Sequence, residues 1–139
     1  FIVVVSTFDE TRTNKDLLEG GNTSLERIGR EIRLANSVTA GSSTFGSHPG
    51  VLVLDGGDAS GAPRIIKFIV ENGDLNIYEN DILIGPITGQ NVQVSSLVFR
   101  NVSTSLSDSV KIELTLQDLR GKARKTKNFY STVTLRGGY

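Results

Sequence analysis

With 139 residues, 37% of them hydrophobic, the chain is long enough for one domain with its own core. Fifteen basic and fifteen acidic side chains cancel, so no global field draws it to nucleic acid or to an acidic membrane. The absence of cysteine excludes disulfides, thiolate catalysis and cysteine-based zinc sites.

There is no methionine, even at position 1, so Phe1 reads as a processed end or as a point inside a longer frame. No apolar run reaches the roughly 20 residues that span a bilayer, and FIVVV reads as the tail of such a run. Ile2, Val5 and Phe8 then stand three apart and continue towards Leu18, which predicts a helix through the polar, threonine-bearing stretch from Ser6 to Lys15. From Asp16 to Asn36, Leu17, Gly21, Leu25, Ile28 and Ile32 recur at spacings of three and four and form one dry stripe. Glu26, Arg27, Arg30, Glu31 and Arg33 fall mainly off that stripe, with Glu26 and Arg30 in the favourable order for a pair one turn apart. Leu18, Leu25, Ile28 and Ile32 are the expected contacts between helix and sheet. Gly20 and Gly21 inside this helix each cost about 1 kcal/mol relative to Ala, and mark a bend, a close approach of the sheet or a place where the helix loosens.

After Asn36 the period changes. Val38–Pro49 reads as a serine- and glycine-rich loop with one short strand, and Val51–Leu54 as a buried strand. Asp55–Pro63, DGGDASGAP, is turn chemistry. Ile65–Glu71 and Leu75–Tyr78 flank Asn72-Gly73, a strong short hairpin signal. Ile82–Gln90 reads as a loop around Pro86. Val92–Val102 reads as a strand with Leu97 and Phe99 on one face and Val94 and Val98 on the other. Val110–Leu116 and Phe129–Leu135 alternate cleanly, and such strands form a sheet with one covered and one wet face.

The expected fold is therefore α+β: a long N-terminal helix over residues 1–36, packed on an antiparallel β-sheet domain over residues 37–139. A continuous helix of that length is roughly 54 Å long, more than the width of such a domain, so residues 1–16 are expected to project.

This order of elements resembles the type IV pilin-like proteins, specifically the minor pilins and minor pseudopilins. The residues that carry the resemblance are LERIGREIRLANSV (Leu25–Val38), IIKFIVENGDLNIYEN (Ile65–Asn80), VQVSSLVFRNV (Val92–Val102), SVKIELTLQDL (Ser109–Leu119) and FYSTVTLRGG (Phe129–Gly138). Within them, Val94, Leu97 and Phe99 match a V-x-x-L-x-F strand, and Leu135–Arg136 match the family's last strand. The resemblance implies a pilin-like α/β roll working as a structural subunit of a type IV pilus-like or type II secretion pseudopilus filament. It implies partners that are other pilin-like subunits, a place in the cell envelope or an extracellular filament, and no enzyme activity or cofactor. It implies assembly through the helix, with Phe1, Ile2, Val5 and Phe8 as the filament contacts. The front departs from the family, because position 5 is Val5 and not Glu. Phe1 then corresponds to a point partway down the family helix, and the membrane-embedded half would precede it.

Chemistry-bearing clusters are sparse. His48 is the only histidine, and a zinc site needs three or four ligands. No G-x-S-x-G context supports a nucleophilic serine, and GGDASG lacks the lysine and helix of a phosphate loop. Asp55 and Asp58, with Asp81, are weak calcium candidates without EF-hand spacing. The one charge asymmetry is Arg120, Lys122, Arg124, Lys125 and Lys127, five of the fifteen basic residues in eight positions. This stretch carries the alternative reading, a minor pilin binding DNA or another polyanion, or acting as an adhesin. Its plain reading is a solvated hairpin tip.

Overall fold

The computed structural model describes residues 2–5, 14–57, 62–88, 92–103, 108–119 and 125–135. Among them are one α-helix, a short 3-10 helix (Ala40–Ser42) and nine strands in two antiparallel sheets. The strands are β1 (Ile2–Val5), β2 (Ser37–Val38), β3 (Val51–Gly57), β4 (Pro63–Glu71), β5 (Asp74–Glu79), β6 (Ile82–Pro86), β7 (Val92–Ser103), β8 (Asp108–Asp118) and β9 (Thr126–Thr134). The helix α1 (Asn14–Leu34) stands between β1 and β2.

The expected α+β roll, with a helix from residue 1 lying on a single sheet, is overturned. The described chain is mostly β, and its helix is 21 residues long, starting at Asn14. Ile2–Val5 is instead a strand, pairing antiparallel with β9 from Ile2↔Thr132 to Val5↔Phe129. Ile-Val-Val-Val is β-branched throughout, which disfavours a helix and suits a strand. A sheet edge was available to receive it.

The four-stranded sheet runs β1-β9-β8-β7 and the five-stranded one β2-β3-β4-β5-β6. In the second, Asn72 and Gly73 take φ of 52° and 80°, the left-handed pair that a tight hairpin needs between β4 and β5. The stretch expected as a loop around Pro86 contains β6, closed on β5 through a register shift at Ile77/Tyr78. A second shift, between Val94 and Ser96 on β7, inserts a residue against β8. That bulge turns Val94 to the same side as Leu97 and Phe99, and all three are buried where simple alternation had separated them.

α1 lies across β8 and β9. Its stripe of Leu17, Leu25, Ile28 and Ile32 is fully buried, and Leu18 packs partly buried against the same core. Leu52, Leu54, Phe68, Leu75 and Ile77 from one sheet and Leu97, Phe99, Ile112, Leu114 and Phe129 from the other join that stripe in one continuous cluster. The loop after β2 stitches the sheets together. Gly46 and Gly50 donate backbone N–H groups to the Phe99 and Leu97 carbonyls, each at 2.8 Å.

Candidate functional site

Where α1 ends against the second sheet, Glu31 is buried, although its charge had placed it off the dry stripe. Arg64 on β4 donates Nη1 and Nη2 to the two Glu31 carboxylate oxygens at 2.7 and 3.2 Å, and Nε to Glu79 Oε1 at 2.7 Å. Arg27, one turn back, brings Nε to 3.4 Å from Glu31 Oε2. The bidentate bond to Glu31 is the main reason the Arg64 guanidinium holds its proton more tightly than usual; Glu79 adds to this, and burial opposes it. Beside this network lies a shallow cleft lined by Glu31, Leu34, Ala35, Gly56, Gly57 and Arg64, with a cavity volume of only about 10 Å³. That is far below the roughly 300–1,000 Å³ of ordinary small-molecule pockets. With both Glu31 oxygens bonded to Arg64 and Arg27 close by, the arrangement suits a clasp between helix and sheet. Glu31 sits three residues after Ile28 and one before Ile32, and that position at the stripe's margin is the sequence signal that could have found it.

The remaining polar clusters lie on sheet surfaces. On β4 and β5, Tyr78 donates its hydroxyl to Glu71 Oε1 at 2.7 Å, and Asn76 Nδ2 donates to the same oxygen at 2.9 Å. The hydroxyl first, then the amide, hold the Glu71 carboxyl below the ordinary range, while the Tyr78 phenol is pushed up. Lys67 places its ammonium 4.7 Å from the centre of the Tyr78 ring. Across β7 and β8, Arg100 Nε donates to Glu113 Oε2 at 2.7 Å and lowers the Glu113 carboxyl. His48 Nδ1 accepts the Leu97 N–H at 2.9 Å, which gives the chain's one histidine a structural place at the edge of β7.

The candidates read from sequence scatter over the molecule. Phe1 and Phe8 lie outside the described residues; Ile2 and Val5 are strand positions opposite Thr132 and Phe129, not helix positions. Of the basic stretch, Arg120, Lys122 and Arg124 lie outside the described residues, Lys125 is half-buried and Lys127 is buried at 3% exposure. Asp55 is exposed on β3, Asp58 lies outside the described residues, and Asp81 is exposed in the turn between β5 and β6. Among the described residues no three His, Asp or Glu side chains come together as a metal site would need. The outer face of α1 carries Lys15, Glu19, Asn22, Glu26, Arg30 and Arg33, all exposed, and Leu34 is exposed at its end. No helix among the described residues is long and apolar enough to cross a membrane. Comparison of the chain with protein-family models, with curated proteins and with solved structures gave no match.

Proposed function

We propose that this chain is a structural, pilin-like subunit of a cell-envelope filament, of the type IV pilus-like or secretion-pseudopilus kind. The observation that carries the reading is where the resemblance-bearing residues sit. Val94, Leu97, Phe99 and Leu135 are all buried in the core, under a helix whose arginine-bearing end is clasped to the second sheet. The pattern is thus spent on a rigid body, while the outer face of α1 is left polar and exposed.

Assembly by a projecting apolar helix has no part in this reading, because Ile2–Val5 pairs with β9. A surface available for packing is the outer face of α1, with Lys15, Glu19 and Glu26 in its first half and Arg30 and Arg33 towards its end. Neighbouring copies shifted along a filament axis bring the net-negative half of one helix to the basic half of the next. Exposed ion pairs contribute only about 0.2–1 kcal/mol each, so such a contact gains strength by repetition. The test is to shear cells that produce the protein, pellet the released fibres and probe them with antibody to this chain. The reading expects the chain in the fibre fraction and along filaments in immuno-electron microscopy. Its confinement to the unpelleted fraction would overturn the reading.

A further inference from the structure

At the end of the four-stranded sheet, both backbone polar groups of Leu97 on β7 are met by one segment of chain. The Leu97 N–H donates to His48 Nδ1 at 2.9 Å, and the Leu97 carbonyl accepts the Gly50 N–H at 2.8 Å. Two residues on, the Phe99 carbonyl accepts the Gly46 N–H, also at 2.8 Å, and Phe45 makes a parallel bridge to Phe99. The segment closes on itself where Thr44 pairs with Val51. Phe45–Gly50 is thus a strap along the outer edge of β7. It is seated closely, because a Cβ at Gly50 would come within 2.8 Å of the Leu97 oxygen and 2.9 Å of the Phe99 ring. A sheet edge covered in this way is closed to pairing with another chain.

The bonds that hold the strap differ in kind. Those of Gly46 and Gly50 run between backbone groups and do not titrate. The His48 bond does, because a ring nitrogen accepts a backbone N–H only through the lone pair that a proton would occupy. His48 is the chain's one histidine and the sole ionisable side chain between Arg33 and Asp55. Histidine is the side chain whose charge ordinarily changes between about pH 5 and 8.

We propose that His48 is a pH-operated latch on the edge of β7. Neutral, its imidazole completes the strap. Protonated, it turns a second N–H towards the Leu97 N–H, and the meeting of two donors loosens Phe45–Gly50 from the strand. His48 is exposed, so the proton comes directly from solvent. The charged side chains on the elements beside it are Arg100 on β7, Asp55 on β3, and Lys111 and Glu113 on β8. Glu71 and Asp74 flank the β4–β5 turn, which reaches the same edge where Gly73 accepts the Val94 N–H. Arg100 and Lys111 both engage Glu113, and Glu71 is engaged by Tyr78. Among the described residues none of these carboxylates pairs with His48, so nothing there holds the imidazolium in place of the lost bond. The latch lies away from the outer face of α1 and does not depend on the filament reading.

Hydrogen exchange followed by NMR at about pH 7.5 and pH 5, corrected for the intrinsic pH dependence of exchange, tests it. Protection of the Leu97, Gly46 and Gly50 amides, taken relative to Leu114 in the interior of the sheet, is expected to fall together by about tenfold at the lower pH, the loss of one hydrogen bond. A His48→Gln variant, which has no group to titrate there, should show no such step. Protection that is the same at both pH values, a fall confined to Leu97 while Gly46 and Gly50 hold, or an equal step in the folded His48→Gln variant overturns the proposal.

Discussion

At Gly21 the helix lacks a side chain because the Phe129 ring occupies the place where a Cβ would stand. Phe129 is fully buried in β9 and cannot swing aside. Gly20 next to it meets only the Val92 Cγ2 methyl, at 3.2 Å from an added Cβ, and Leu116 Cδ1 at 3.4 Å. The two glycines therefore separate under the same substitution. Gly21→Ala is expected to lose about 1–3 kcal/mol by overpacking, whereas Gly20→Ala should fall close to neutral, its helix gain of about 1 kcal/mol offsetting a mild crowding; urea denaturation of both variants checks the difference. Of the three roles the pair had at sequence level, this assigns the close approach of the sheet. A second residue-scale expectation concerns Glu71, whose carboxyl is held low by the Tyr78 hydroxyl. Because its folded value lies below the unfolded one, its contribution to stability is present above the unfolded value of about 4.3 and fades as pH falls through the folded value. Tyr78→Phe should raise the Glu71 titration towards the ordinary range in a carboxyl ¹³C NMR titration; an unmoved curve would remove the hydroxyl from the account.

Between elements, the Glu31–Arg64 clasp ties α1 to the second sheet through a bidentate pair. The Glu31 side chain is 4% exposed and that of Arg64 27%, so the pair is withdrawn from water mainly on the carboxylate side. Removing one partner of a buried pair costs about 3–5 kcal/mol. Arg64→Met should fall near the low end, about 3 kcal/mol, because Arg27 remains beside the carboxylate; a double-mutant cycle with Glu31→Gln reads the coupling directly. The dry stripe of α1, the Asn72-Gly73 hairpin and the alternation of β8 and β9 were legible because each is a local period or a local turn rule. The start of the helix was not legible. Ile2, Val5 and Phe8 have helical spacing, but the β-branched run Ile2–Val5 finds its partner in β9, from Val5↔Phe129 to Ile2↔Thr132, and no local pattern reports a pairing that distant. Val94 was misassigned for a related reason, since a bulge resets alternation without leaving a mark in composition. The run of β6 is not legible either, because Pro86 is a local turn signal while the pairing with β5 is set by a bulged register.

Across the described residues, two antiparallel sheets and one amphipathic helix share a single core, and outside it stand a charged helix face and the exposed aliphatics of β6. The described residues bring Glu31 and Arg64 together as a clasp between helix and sheet. The proposed role accordingly rests on surfaces that meet other copies. The absence of cysteine makes the decisive measurement clean. A Glu19→Cys/Arg30→Cys double variant, with one thiol in each half of the outer face of α1, would be oxidised in cells that produce the protein and examined on non-reducing gels. A ladder of cross-linked species containing the chain, lost when either thiol is moved to buried Leu25, is the result expected of a filament subunit; monomer alone would contradict it.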